Sequence, residues 1–393
     1  MIRKVKFSNF YSFRGEQEIS FLASKKQTYD YFTSKNGDQI TKVAAFIGGN
    51  ASGKTNVMRL FSFLGYFIYR PEDEQTQTLN REIAFKTFFS NDKPSDFYIE
   101  FEENNNIYFY QFTLSNKNII AKEELRMLEI KPYAREEVIF SRTKDGIQDL
   151  NEKHFTNISV ESLPKINDSI SLITYFKRSQ YKVDVIDDVY VYFAKMRTNI
   201  NEKGEISTPY HQLDALMMYR HEDNIKKKME SFIKDFDLGL SRFEINLKEE
   251  SKRSVDVYGV HSDKKESRIP FTYESRGTRS LFFVIANVLT ALKYNSVVIV
   301  DEIETGLHPE ALNKLVGYFI EENKDRNAQL LFSAHSFEFM KRLDMHQIYL
   351  VEKNVDCESN VCRLNQVEGI RSDENFQAKY MSGAYGAFPE ISV

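Results

Sequence analysis

The chain has 393 residues, enough for two or three structural units and a large core. Its 53 basic and 57 acidic residues give a net charge of −4, so it lacks the global cationic field that advertises nucleic-acid binding. Charged residues at 28% and aromatics at 14% suit a globular rather than a disordered chain. No apolar run reaches the ~18–20 residues of a membrane helix. Met1-Ile2-Arg3-Lys4-Val5-Lys6 alternates like a strand and lacks a signal peptide's apolar core. Cys357 and Cys362 lack metal-site spacing and have no His partner group nearby, so two reduced thiols in a cytoplasmic protein are expected, ahead of a disulfide between them.

Ile2 to Phe21 alternates apolar and polar residues twice around Asn9–Gly15, which predicts two strands and a turn. Lys25 to Asp38 is polar and reads as a loop. Lys42-Val43-Ala44-Ala45-Phe46-Ile47 reads as a buried strand, and Val57 to Tyr69 as a helix stopped by Arg70-Pro71-Glu72. Between them Gly48-Gly49-Asn50-Ala51-Ser52-Gly53-Lys54-Thr55 fits G-x-x-x-x-G-K-[ST]. A Gly-rich turn of no function also fits that pattern, but strand, loop and helix occur in the order a phosphate site needs. Loop amides and the helix N-terminus would face phosphates with partial positive charge. Lys54 can reach the β and γ oxygens, and the Thr55 hydroxyl can complete a Mg²⁺ shell.

Further along, Ser95–Glu102, Ile107–Leu114 and Glu124–Ile130 predict an antiparallel meander turned at Asn104-Asn105-Asn106. From 151 to 237 the spacing becomes helical, as in Val185–Met196 and Glu222–Phe236, without sustained heptads; a helical insertion is expected. Strand patterns return at Leu240–Leu247 and Ser254–Val260, and the last third alternates strand and helix. The reading is an α/β chain in three parts: 1–150, the insertion 151–237, and 238–393.

Ser296-Val297-Val298-Ile299-Val300-Asp301-Glu302 is an apolar, β-branched run ending in two acids. A buried parallel strand would present both at its C-terminal edge, where ligands bind in open α/β sheets. Asp301 could hold Mg²⁺ and Glu302 could orient and deprotonate an attacking water. The competing reading is a strand ending in a solvated acidic turn. After Glu304-Thr305-Gly306-Leu307-His308-Pro309 and the helical pattern Glu310–Lys324, the strand Ala328–Ser333 ends at His335, within reach of the same edge. Ser275-Arg276-Gly277 opens an apolar helix, Leu281–Leu292; its amides could bind an anion, or Ser275 could simply N-cap.

In this order the motifs resemble the ATP-binding-cassette type of ATPase, in its soluble branch with chromosome-maintenance, Rad50 and RecF-type proteins. More narrowly, the chain is similar to the AAA15/AAA21 group of OLD-like ATPases of bacterial phage-defence and abortive-infection systems. The opening Val5–Phe13, the run Asp301–Pro309 and the tail Tyr380–Pro389 carry that likeness. The resemblance implies an ABC-type ATPase head: a P-loop parallel sheet plus an antiparallel β subdomain, with a helical insertion. It implies that Gly48, Asn50, Ala51, Ser52, Gly53, Lys54, Thr55 and Asn56 bind ATP, and that Thr55 and Asp301 bind Mg²⁺. Glu302 and His335 would be catalytic. It further implies a head-to-tail dimer in which Ser275 and Gly277 touch the partner's ATP, with Arg276 standing where transporters have Gly. Gln111 is the candidate for the Q-loop glutamine, and Ser12 or Arg14 for an N-terminal nucleotide contact.

The function expected from this likeness is an ATPase sensor or scaffold in antiviral defence, triggered by a phage protein and acting through ATP-dependent dimerisation or higher homo-oligomeric assembly. Only about forty residues follow Leu350-Val351-Glu352, too few for the Toprim nuclease that OLD proteins carry, so a separate effector, nuclease or toxin, is expected. The alternative is a RecF/Rad50-like repair ATPase clamping DNA; the charge balance and the scarcity of basic clusters beyond Lys226-Lys227-Lys228 weigh against it. A P-loop kinase would leave Ser275-Arg276-Gly277 and His335 without a purpose.

Overall fold

The computed structural model describes residues 1–23, 30–69, 83, 85–116, 119–201, 204–205, 213–235, 239–247, 255–305 and 307–385. At its centre is a six-stranded sheet in the order Arg197–Thr198, Val297–Val300, Gln329–Ala334, Val43–Ile47, Ile348–Lys353 and Ser359–Arg363. The first five run parallel and the last is antiparallel to its neighbour. Every residue of the three middle strands is buried. Both faces are covered, which is why these segments read as continuous apolar runs.

Alternate residues of the Val43–Ile47 strand enter two different cores. Ala44 and Phe46 join the first, with Val57, Phe61 and Phe67 of the helix Lys54–Ile68. Val43, Ala45 and Ile47 join the second, with Ile285 and Leu289 of the helix Arg276–Tyr294 and Leu315 of Pro309–Glu322.

A seven-stranded antiparallel sheet closes the first core, in the order Gly146–Leu150, Glu137–Thr143, Ile120–Glu129, Asn106–Leu114, Ser95–Glu103, Ile2–Phe7 and Gln17–Ser20. Phenylalanine fills the space between helix and sheet: Phe67 stacks on Phe112 at 4.1 Å, and Phe112 on Phe97 at 4.9 Å. The meander therefore has two more strands than expected. Gly146–Leu150 is largely exposed and polar, so it shows no apolar alternation to read. Tyr31–Thr33 likewise forms a short strand inside the stretch expected as a loop, pairing with Gln39–Thr41.

The described residues of the span 151–237 form four α-helices, Leu172–Arg178, Asp184–Ala194, Leu213–His221 and Asp223–Asp235. The first two pack into the first core and the last two into the second. Between them, Arg197–Thr198 enters the central sheet as its edge strand. Leu172–Arg178 begins on the hydroxyl of Ser171, and its Leu172 amide donates to buried Glu123 at 3.0 Å. The three-stranded sheet Leu240–Leu247, Val255–His261 and Arg268–Pro270 covers the second core through Leu240 and Phe243. Both cysteines are free thiols. No helix among the described residues is long and apolar enough to cross a membrane.

Candidate active site

The Gly-rich loop leaves the sheet at Ile47 and is held from behind. A Cβ on Gly48 would lie 2.0 Å from the Val351 carbonyl oxygen. Gly53 has φ +118°, and a Cβ there would meet Ser359 Oγ at 2.5 Å. Ser359 donates its hydroxyl to the Ser52 carbonyl at 2.6 Å and lies 2.8 Å from Ser12 Oγ, to which Asn56 Nδ2 also donates at 2.8 Å. Ser12 thus serves the loop from its rear, while Arg14 pairs with Glu358 at 2.8 Å and does not line the cavity.

Lys54 Nζ donates to the carbonyls of Gly48 and Gly49, both at 2.8 Å. Burial pushes its pKa down, against the pull of Glu304, Asp301 and Glu302, so the two halves of the site already feel each other's charge. On the acidic side, Asp301 accepts from Ser333 Oγ at 2.6 Å, and the Thr55 hydroxyl faces the same carboxylate. Burial pushes the Asp301 carboxyl up, and those hydroxyls counter it. The Asp301 backbone is gripped by Asn199, which accepts its N–H at 2.7 Å and donates to its carbonyl at 2.9 Å.

Glu302 adopts a left-handed φ of 47°, sparsely populated for a residue with a side chain. Its amide donates to Ser333 Oγ at 2.8 Å, and its Oε1 lies 3.8 Å from His335 Nε2. Glu304 turns back to accept the amides of His335 and Ser336. A cavity of about 400 Å³ is lined by residues 50–56 with Glu302, His335 and Lys353.

These residues fit a magnesium nucleotide. The loop is a cradle that a Cβ at position 48 or 53 would fill. The Ser52 hydroxyl and Glu304 Oε2 are buried without a hydrogen-bond partner among the described residues. A threonine hydroxyl and one carboxylate form the sparse protein share of a site in which Mg²⁺ keeps phosphate and water ligands.

Ser275 and Gly277 do not line this cavity. Ser275 N-caps the helix Arg276–Tyr294, accepting the Thr278 amide at 3.0 Å. Gln111 is no part of the site either: it sits in the antiparallel sheet and donates to Glu124 on the next strand at 2.8 Å. A glutamine on a half-buried strand carries no mark that separates the two roles. The residues that sequence reasoning missed are Asn199, Ser333, Lys353 and Ser359. Asn199, Lys353 and Ser359 come from segments with no motif, Ser333 from the strand that leads to His335, and only the strand order brings them to the site.

The family described as "AAA domain, putative AbiEii toxin, Type IV TA system" matches residues 43–341, from the strand entering the loop to just beyond His335. The chain belongs to this AAA-domain family. A relative of this AAA-domain protein, an "ATP/GTP phosphatase" of Helicobacter pylori (strain ATCC 700392 / 26695), is 20% identical over 335 residues, covering 81% of this chain and 86% of the relative. Among solved structures, the SMC head bound to the C-terminal winged-helix domain of ScpA matches with a TM-score of 0.51. It has 12% identity, over 92% of this chain and 97% of that one. The SMC head domain from Thermotoga maritima has a TM-score of 0.41 at 12% identity, over 92% and 98%. The SMC likeness shows the fold alone, a mixed α/β head of the ABC-ATPase kind. The family match is what makes this AAA-domain protein an ATPase of ABC/AAA type.

Proposed function

We propose that the chain is a Mg²⁺-dependent ATPase whose ATP-driven dimerisation makes it the sensor or scaffold of an OLD-like bacterial antiviral system, controlling a separate effector. The observation that carries the catalytic part is the meeting of Thr55 with Asp301, itself hydrogen-bonded by Ser333, beside a cavity that Glu302 and His335 also face. Thr55 and Asp301 would hold Mg²⁺, which when bound neutralises charge on the phosphate oxygens. The loop amides and Lys54 bind the triphosphate. Glu302 orients a water and takes its proton as the water oxygen attacks the γ-phosphorus and ADP leaves. His335 hydrogen-bonds the γ-phosphate or that water.

Ser275 and Gly277 complete the site of a second copy. Their absence from the cavity of their own chain supports a role across the dimer, with Ser275 exposed at the head of a 19-residue helix. The toxin-system wording of the family description supports an effector partner, and the OLD-like motifs support a defence setting triggered by a phage protein. Glu302→Gln should stop turnover and accumulate an ATP-bound dimer, seen as a doubled mass in light scattering. A monomer with ATP bound would remove the dimer from the reading. Co-purification with the product of a neighbouring gene should require both ATP and an intact Lys54. Retention of duplex DNA in its place would move the reading to a RecF/Rad50-like clamp.

A further inference from the structure

We infer that Asn199 is a positioning residue for hydrolysis: its side-chain amide stands in for a missing length of edge strand and holds the Asp301–Glu302 turn in shape. The inference rests on Glu302 acting as the base. The edge strand pairs Arg197 with Val298 and Thr198 with Ile299, and the Asn199 amide makes a last, long bond to the Ile299 carbonyl at 3.3 Å. Beyond Val300 the neighbouring chain leaves the sheet, so no backbone ladder reaches Asp301. The Asn199 carboxamide supplies both halves of the missing peptide. Its Oδ1 accepts the Asp301 N–H at 2.7 Å, and its Nδ2 donates to the Asp301 carbonyl at 2.9 Å. Those partners fix which end is oxygen, since an N–H needs an acceptor and a carbonyl needs a donor.

From the other flank, Ser333 Oγ accepts the Glu302 amide and donates to Asp301 Oδ1, while the Ile303 amide donates to the Ser333 carbonyl at 3.1 Å. Two side chains on opposite neighbouring strands thus hold a turn whose left-handed residue would otherwise relax. Relaxing it would swing the Glu302 carboxylate away from His335 and the cavity. Asn199 itself is braced. The Thr198 hydroxyl lies 3.1 Å from both polar groups of the Ile200 backbone, and Ser62 of the helix Lys54–Ile68 donates to the Ile200 carbonyl at 2.7 Å. Aspartate at 199 would keep the acceptor, lose the donor and add charge beside Asp301. Alanine would lose both bonds.

The test compares full-length N199A and N199D with wild type in three readouts: ATP turnover, ATP affinity, and amide hydrogen exchange of a peptide spanning 297–305. N199A should lose ~10–100-fold in kcat, the usual toll of removing a group that orients a metal ligand, while the Kd for ATP stays within ~3-fold. Exchange in the turn should accelerate. N199D should keep protection at the Asp301 amide yet lose kcat, and it stands in for N199A should that variant misfold. Wild-type kcat, an ATP affinity lost in proportion to kcat, or unchanged exchange in N199A would each overturn the inference. If E302Q hydrolyses ATP as fast as wild type, the assignment of Glu302 fails instead, and the exchange rates alone still decide whether Asn199 holds the turn.

Discussion

The hydroxyl of Thr55 faces the carboxylate of Asp301 and favours its ionised form, joining the Gly-rich loop to an acid far along the chain. They meet because the strand before the loop, Val43–Ile47, and the strand before the acid, Val297–Val300, flank a common neighbour, Gln329–Ala334, and all three run parallel. Their C-terminal ends therefore open on one edge, the usual ligand edge of such sheets.

Among the described residues no carboxylate hydrogen-bonds Lys54; its donors rest on two loop carbonyls. A phosphate would offer it a charge-assisted partner worth about 1.5–3 kcal/mol. Lys54→Ala should therefore raise the Kd for ATP by about 10–100-fold, with an unchanged far-UV circular dichroism spectrum. Unaltered affinity in that variant would remove Lys54 from the phosphate site.

Gly53→Ala faces both a left-handed φ and the Ser359 hydroxyl 2.5 Å from its new methyl carbon. We expect ~1–3 kcal/mol of lost stability in denaturant unfolding, together with loss of nucleotide binding. Gly15→Ala, whose added methyl meets nothing within 4 Å, should stay within about 0.5 kcal/mol of wild type.

Asp301 supplies a pH test with a definite sign. Burial raises its carboxyl above the ordinary 3.8, so the folded protein binds this proton more tightly than the unfolded chain. The ionised group lowers stability above its folded pKa, and that loss is relieved as pH falls through the folded value toward 3.8. Asp301→Asn removes the titration. Its unfolding free energy relative to wild type, measured without nucleotide and with a chelator, should be most favourable near neutrality and fall off toward pH 4. A difference independent of pH would show that the carboxylate charge is not the cause. The same variant should lose Mg²⁺-dependent turnover on the order of 10²-fold.

Shared sites make inactive subunits complement one another. Lys54→Ala spoils the loop side and Ser275→Arg the signature side. In a mixed dimer both lesions fall on one site and leave the other whole. Equal mixing should restore up to about a quarter of wild-type turnover, half the dimers being mixed and half their sites intact. No recovery after subunit exchange would mean that each chain works with its own Ser275. That variant should also lose about 1 kcal/mol, because Ser275 caps its helix.

Legibility in the sequence followed contiguity. Gly48–Thr55 and Val297–Glu302 are each continuous in sequence, and the burial of their strands on both faces wrote them as unbroken apolar runs. Asn199, Ser333 and Ser359 owe their roles to which strands lie side by side, a property of distant pairings that no local window contains. Gly146–Leu150 escaped notice for the opposite reason, being an exposed edge with no apolar face to display. Gln111 shows the converse error, in which a residue type suggested a role that its strand position does not support. The end of the tail, 386–393, lies outside the described residues.

The floor of the Gly-rich loop is built from the Val351 carbonyl and the Ser359 hydroxyl, residues made long after the loop itself. During synthesis the loop must wait, without its support, while some three hundred residues follow it. The loop's shape is therefore complete only once residues 351 and 359 have folded against it.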